Sequence, residues 1–366
     1  MQVCKRCLFN EKTPGISFND DGVCNYCELH DELERQYPTD KNKIFELADK
    51  IKSKRKGKYD VIIGICGGCD SSSMLYIAKK IMGLNPLAVH FDNGFNSEVS
   101  ENNIRKMLIG LDINFIRRQV DQTEYNDIYK SFFKAGLPDI EAVTDMALMS
   151  TLYEEAYKHK VKYIFVGHSF RTEGISPLGY SYMDSGYIRS VQKRFGTKKI
   201  KTLPELRFFT FLKYMFAGIK RIRPLYYIHY DKKAMKSFLS RKFHWEWYGG
   251  LHKESVITDY VKNYWIWRRY KTDKSITEVS GLVRSGSISR EDGEKLLSNK
   301  PSITEETRRE AVKLLGFNPN RYIMRPHRTY KDFKNYKWLF KLFRPLFWIF
   351  LKLDRIPLSF YTKYCK

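Results

Sequence analysis

Tyr59-Asp-Val-Ile-Ile-Gly-Ile-Cys-Gly-Gly-Cys-Asp-Ser-Ser-Ser73 is the stretch whose reading decides the fold. Val61, Ile62, Ile63 and Ile65 form a β-branched run suited to a strand covered on both faces. Gly67 and Gly68 then allow the backbone to approach a ligand closely. Asp70, Ser71 and Ser72 supply an N-cap and hydroxyls at the start of a helix. A strand, a glycine turn and a helix N-terminus make an anion site, because free N–H groups and the helix dipole point at the ligand. The run lacks the Gly-x-x-x-x-Gly-Lys-Ser/Thr of an ordinary P-loop and the Gly-x-Gly-x-x-Gly of a dinucleotide fold. Cys66, Gly67, Gly68, Asp70, Ser71 and Ser72 are therefore the candidate ligand-binding residues.

Working outward, the pattern alternates strands and helices. Strands are expected at 59–65, 86–91, 113–116 and 161–166, and helices at 71–82, 98–111, 124–134 and 144–159. Such alternation implies a parallel sheet with right-handed crossovers. Ligands in these sheets sit beyond the carboxyl ends of the strands. Three polar clusters fall there: 66–72, 92–97 and 167–173. Asp92, Asn93, Gly167, His168 and Arg171 join the candidate binding set on that basis. Asp92 also suits a plain turn cap before Gly94.

At the other end of the argument stand four cysteines, Cys4-x2-Cys7 and Cys24-x2-Cys27. This is zinc-ribbon or knuckle spacing, with each Cys-x-x-Cys turn presenting two thiolates to a tetrahedral ion. Structural zinc is expected, with Cys4, Cys7, Cys24 and Cys27 as ligands and an iron–sulfur cluster as the other metal option. Four protein thiolates leave no open position for catalysis.

The 366 residues carry a net charge of +24, which implies an anionic partner. Met1-Gln-Val-Cys-Lys-Arg lacks the apolar core of a signal peptide, and no stretch is apolar enough to span a membrane. The expectation is a cytoplasmic protein, peripheral on the inner face of the cytoplasmic membrane. Residues 189–223 hold eleven Lys or Arg against one acid, Glu205. From Lys331 onward there are nine Lys or Arg and two acids among many large apolar residues. The cations at 337, 341, 344, 352 and 355 share one helical face, with Pro345 expected to kink the helix. A basic stripe opposite Trp, Phe and Leu suits an anionic membrane surface, and packing against the body of the protein is the competing reading. The organisation expected is a knuckle at 1–40, a nucleotide domain at 41–230 with a basic aromatic insertion at 189–223, a helical substrate or partner region at 231–330, and a basic amphipathic tail at 331–366.

The opening loop resembles the Ser-Gly-Gly-x-Asp-Ser pyrophosphate loop (PP-loop) of the N-type ATP pyrophosphatases, with Cys66 in place of the first Ser. The knuckle, His90-Phe-Asp-Asn-Gly-Phe-Asn-Ser97, Arg223-Pro-Leu225, Tyr248-Gly-Gly-Leu-His-Lys-Glu-Ser-Val-Ile-Thr258 and Gly281-Leu-Val-Arg-Ser-Gly-Ser-Ile-Ser-Arg290 together resemble the N-acetyl sugar amidotransferases of bacterial surface-polysaccharide and nonulosonic-acid pathways. The fold this resemblance implies is α/β: a parallel-sheet, PP-loop, HUP-like adenine-nucleotide domain with an N-terminal zinc knuckle and a mostly helical C-terminal region. The activity implied is conversion of a sugar acetamido group to an acetamidino group. ATP adenylates the amide oxygen, pyrophosphate leaves, and ammonia from a separate HisH-like glutaminase subunit displaces AMP. Asp70 and Ser71 would serve the chemistry with Mg2+ near Asp70, and His252 and Glu254 would orient substrate or deprotonate ammonia. Nucleic acid is not an expected partner.

Two rivals share these residues. A tRNA-modifying PP-loop enzyme, of thiolation or lysidine type, fits the basic surface, and Cys66-x2-Cys69 gives it a redox or sulfur-transfer pair. A glutaminase would use Cys66 within Gly64-Ile-Cys66-Gly-Gly68, with His252-Lys-Glu254 completing its triad.

Overall fold

A computed structural model describes residues 2–250 and 253–366. Five parallel strands form one sheet in the order β3-β2-β1-β4-β5: β1 Val61–Gly64, β2 Pro86–Asp92, β3 Asn114–Gln119, β4 Tyr163–Phe165 and β5 Lys220–Ile222. The four strands expected from hydrophobic runs are present. The fifth lies inside the stretch read as an insertion. Lys220–Ile222 pairs with Tyr163–Phe165 and has no long apolar run to announce it. β1 and β2 are buried along nearly their whole length, as the β-branched run requires. The chain winds outward from β1 to β3 and then returns to the opposite side of β1. The crevice between the carboxyl ends of β1 and β4 is thus the switch point at which α/β sheets bind ligands.

Helices cover both faces. Ile62 packs toward the Gln122–Ala135 and Ala142–Lys158 helices. Val61 and Ile63 pack with Lys41–Ser53, Cys69–Tyr76 and Glu98–Leu111. The helix after the glycine turn runs Cys69–Tyr76 and continues through a π-turn at Ile77–Ile81. Residues 256–270 form one helical run with a π-turn at Val261–Trp265, and Trp265 is fully buried against Phe133.

Two further units brace this body. The four cysteines gather with Phe9 and Tyr26 in a small core of their own. The tail forms the helices Lys337–Leu342, Arg344–Lys352 and Leu358–Tyr364, which pack on the Phe208–Phe216 helix. Phe208 meets Phe340, Phe343 and Phe347, and Phe216 meets Phe350. The chain breaks between the first two tail helices, and Pro345 sits in the first turn of the second, where no backbone donor is needed. Packing against the body, the competing reading, describes one side of the tail. Its Phe340–Phe347–Phe350 side is packed against the body, and its other side is exposed.

Candidate active site

The glycine turn is built by close contacts. Gly67 has φ +77°, and a Cβ there would lie 2.2 Å from the Ser100 carbonyl oxygen, so no other residue fits. Its own carbonyl accepts from Trp245 Nε1 at 3.0 Å and from Asn103 Nδ2 at 3.3 Å. Gly68 opens the helix without a side-chain cap, which leaves the first-turn N–H groups to an incoming anion and to the Tyr248 hydroxyl, 3.4 Å from Cys69 N. Ser71 Oγ donates to Gly68 O at 3.2 Å and lies 3.4 Å from Cys66 N, so it locks the turn. Ser72 Oγ is buried with no partner among the described residues.

Asp70 is held from two sides. Tyr230 Oη donates to it at 2.7 Å, and Lys232 Nζ lies 2.9 Å from its other oxygen. Lys232 also reaches Glu173 at 3.8 Å. Burial works against the Lys232 ammonium, but Asp70 and Glu173 outweigh it and its pKa rises. Burial raises the pKa of Glu173, and the Asp70 charge adds to that. Lys232 is thus a fixed cation beside the glycine turn, one that the sequence reading does not single out. Its signal is the Tyr230-x-Lys232 spacing, which puts a hydroxyl and an ammonium on the same carboxylate.

The two loop cysteines diverge. Cys66 Sγ faces Ser71 Oγ at 3.5 Å and Glu254 Oε1 at 3.9 Å. Cys69 Sγ faces Tyr230 Oη at 3.6 Å and the apolar core. Burial, then the Glu254 charge, pushes the Cys66 thiol up to about 12. A thiol so protonated is a poor nucleophile, and a carboxylate beside it opposes the thiolate a glutaminase needs. His252 lies outside the described residues.

A chamber of about 560 Å³ occupies the switch point. Cys66, Asn93, Gly167, His168 and Glu254 line it. His168 Nε2 donates to the Gly174 carbonyl, which can only accept, and Nδ1 lies beside Tyr226 Oη, both at 3.1 Å. Burial, then Arg223, lowers His168 to about 4. Gly167 passes close to the loop helix, where a Cβ would be 3.3 Å from Asp70 backbone.

Two candidates, Asp92 and Arg171, are not among the residues lining the chamber, whereas Asn93 is. Asp92 does cap the turn, accepting from Gly94 N at 3.0 Å, and its other oxygen accepts from Arg117 and Gln119. Asn93 fixes the same loop through Phe95 N. Arg171 does not line the chamber. Its guanidinium chelates Glu34 and bonds the Tyr226 and Tyr37 carbonyls, which ties the Asn25–Gln36 helix to the sheet domain.

Glu254 is 188 residues from Cys66 and arrives through backbone pairing. Ser97 N donates to Glu254 O at 2.8 Å, Val256 N donates to Phe95 O at 2.9 Å, and Asn96 and Ser255 form a bridge. The far wall is rich in carboxyls from Asp139, Glu141, Asp145 and Glu278, interleaved with Lys262 and Lys274. Burial raises Glu141 to about 7 and Asp139 to about 6, and burial lowers Lys262 and Lys274. Glu141 accepts from Thr258 Oγ1 at 2.6 Å, and Asp139 accepts from Tyr187 Oη at 2.8 Å. A group with a pKa near 7 in a chamber is suited to proton transfer at neutral pH.

The four cysteine sulfurs lie within 4.8 Å of one another, with Cys4–Cys27, Cys7–Cys24 and Cys24–Cys27 at 3.7–3.8 Å. A tetrahedron with metal–sulfur bonds of about 2.3 Å has edges of about 3.8 Å, so the quartet fits one ion. Cys4 Sγ receives N–H groups of Arg6, Cys7 and Cys24, and Cys7 Sγ receives Arg284 Nη2 at 3.2 Å.

Residues 254–346 match the family model described as "LPS biosynthesis protein WbpG-like, C-terminal domain". That match begins at Glu254 and takes in Thr258, Lys262, Lys274 and Glu278 of the chamber wall. Comparison with curated proteins returns no match. Among solved structures, the chain is similar to NMN synthetase from Francisella tularensis, at 13% identity and TM-score 0.35, over 79% of this chain and 96% of that one. It is also similar to the U34-tRNA thiolase NcsA from Methanococcus maripaludis with its [4Fe-4S] cluster, at 13% identity and TM-score 0.28, over 82% and 89% of the two chains.

Proposed function

We propose, from the premise that residues 254–346 belong to the WbpG-like family of lipopolysaccharide-biosynthesis C-terminal domains, that this chain is an ATP-dependent amidotransferase acting on an N-acetyl sugar. The observation that carries the reading is the position of the chamber. It joins the glycine turn at Cys66 to a carboxyl-rich wall made by Asp139, Glu141 and Asp145 together with Glu254 and Glu278 of the WbpG-like segment.

The chemistry follows from that juxtaposition. The amide oxygen of the acetamido group attacks the α-phosphorus of ATP, and pyrophosphate leaves. Backbone N–H groups at the start of the Cys69–Tyr76 helix and the Lys232 ammonium stabilise its charge. Asp70 is the residue that would hold Mg2+, which would neutralise the phosphates. Ammonia then adds to the imidate carbon, and AMP departs with the former amide oxygen. Carboxyls of the wall, Glu254 and Glu141 first, take the protons that ammonia sheds. The acetamidino product is a cation, and an acidic wall favours its formation. Ammonia comes from a separate HisH-like glutaminase subunit. Cys4, Cys7, Cys24 and Cys27 hold Zn2+ in a structural role, which their edge lengths support. A cytoplasmic location goes with the ATP and glutamine this reaction consumes.

The tRNA-modifying alternative draws on Cys66 and Cys69 as a pair, and the opposed directions of the two sulfurs weigh against it. The test is mass spectrometry of acetamido sugars incubated with the chain, ATP, Mg2+ and ammonium. Replacement of one sugar oxygen by NH, with AMP and pyrophosphate formed in equal amounts, is expected. Release of ADP and phosphate, or glutamine hydrolysis by the isolated chain, would overturn the reading.

A further inference from the structure

Beyond the reaction, we propose that the paired helices of the Phe208–Phe216 segment and the tail form a docking face for an anionic phospholipid bilayer. The packing of the tail on the body leaves a second apolar face with nothing over it. Phe340, Phe347 and Phe350 are buried, whereas Trp338 and Leu342 are 63% and 65% exposed. On the next helix Pro345, Trp348, Ile349 and Lys352 stand at spacings of three and four residues, in one exposed stripe. Phe209 and Phe216 add exposed rings from the partner helix, 74% and 62% accessible. Large apolar side chains gathered on one face mark an interaction site rather than ordinary surface.

Charge selects the occupant. Lys213, Lys341, Arg344 and Lys352 are exposed on the same helices. From Lys331 to the last residue there are nine Lys or Arg against two acids, Asp332 and Asp354. A second copy of this chain would bring like charges together, which disfavours a symmetric dimer through this face. An anionic membrane surface offers both partners at once: headgroups for the cations, and an interface at which Trp rings settle. No helix among the described residues is long and apolar enough to cross a membrane, so the face lies on the bilayer. The last tail helix also touches the chamber's edge. Lys363 Nζ donates to the Ser181 carbonyl, Tyr364 packs by Tyr182, and Ser181 lines the chamber.

Flotation of the full chain with vesicles tests this without reference to the reaction. Binding is expected to vesicles of phosphatidylcholine with phosphatidylglycerol, and to be weak with phosphatidylcholine alone. Trp338→Ser with Trp348→Ser and Ile349→Ser should lower partitioning at least about tenfold while circular dichroism and melting temperature stay as in the parent. With the unaltered chain, brominated lipids should quench tryptophan fluorescence, a readout that needs no variant. Equal binding to both vesicle types, unchanged partitioning of the triple variant, or self-association through this face in place of vesicle binding would overturn the proposal.

Discussion

Glu254 Oε1 lies 3.9 Å from Cys66 Sγ, at the point where the glycine turn meets the chamber. The contact explains how a turn with a thiol in place of the expected hydroxyl stays chemically quiet. Burial and the neighbouring carboxylate push the thiol up to about 12, so it is neutral at every pH the protein would meet.

Cys66→Ser follows directly. A hydroxyl donates a stronger hydrogen bond than a thiol, and Ser71 Oγ and the incoming phosphate are both within its compass. The variant should keep its activity and gain about 2–10-fold in apparent affinity for ATP. The unaltered chain should react slowly with iodoacetamide at pH 8, and ATP should slow it further. Loss of activity in Cys66→Ser would restore the nucleophile or redox reading.

Lys232 separates stability from catalysis. Removing its ammonium leaves Asp70 and Glu173 facing each other in a buried setting. Lys232→Met should lower the melting temperature and cut kcat/KM about 100-fold or more. Adding Asp70→Asn should recover much of the melting temperature, since one of the two carboxylates becomes neutral, and none of the activity. Recovery of activity in the double variant would mean that Lys232 only neutralises Asp70.

The turn was legible because strand, glycines and helix start lie in one contiguous segment. The chamber was not. Asp139 and Glu141 precede one helix, Lys262 and Lys274 stand in and after another, and long-range contacts such as the pairing of 95–97 with 254–256 and the Thr258–Glu141 hydrogen bond bring these walls together. Pairwise contacts at such separations leave no local pattern. Arg171 shows the converse. Its place after β4 pointed to a ligand, but Glu34 on a distant helix claims it first. β5 escaped because a three-residue strand in which two residues, Lys220 and Arg221, are cations carries no hydrophobic period. The tail's cationic face was readable, yet which of its apolar sides packs on the body depends on Phe208 and Phe211, over a hundred residues earlier.

Glu141 makes stability depend on pH in a defined direction. Burial raises its carboxyl from 4.5 to about 7. Between those values the folded chain holds a proton that the unfolded chain has released, so stability falls as pH rises through that window and levels off above it. Glu141→Gln removes the titration and keeps an acceptor for Thr258. Its unfolding free energy should exceed the parent's by a margin that grows from pH 5 to pH 8, reaching the order of 1–3 kcal/mol. A constant margin would show that the carboxyl titrates normally.

The cysteine quartet should govern the chamber at a distance. Arg284 Nη2 donates to Cys7 Sγ, and Arg290 Nη1 donates to the Cys4 and Cys7 carbonyls at 2.8 Å. Arg284 ends the Ser275–Arg284 helix, and Thr277 and Glu278 of that helix line the chamber wall. Gly174, whose carbonyl fixes His168, lies against the same helix, where a Cβ would be 2.0 Å from Thr277 O. Removing the ion leaves four thiolates without their common partner, and the arginines then lose a fixed surface to hold. Elemental analysis of purified protein should find one zinc per chain. A strong chelator should lower the melting temperature and raise KM for ATP and sugar together, and added Zn2+ should reverse both. Cys24→Ser should mimic the chelator, because it removes a ligand while leaving both arginine contacts in place. Full activity in metal-free protein would mean that Arg284 and Arg290 hold the wall by themselves.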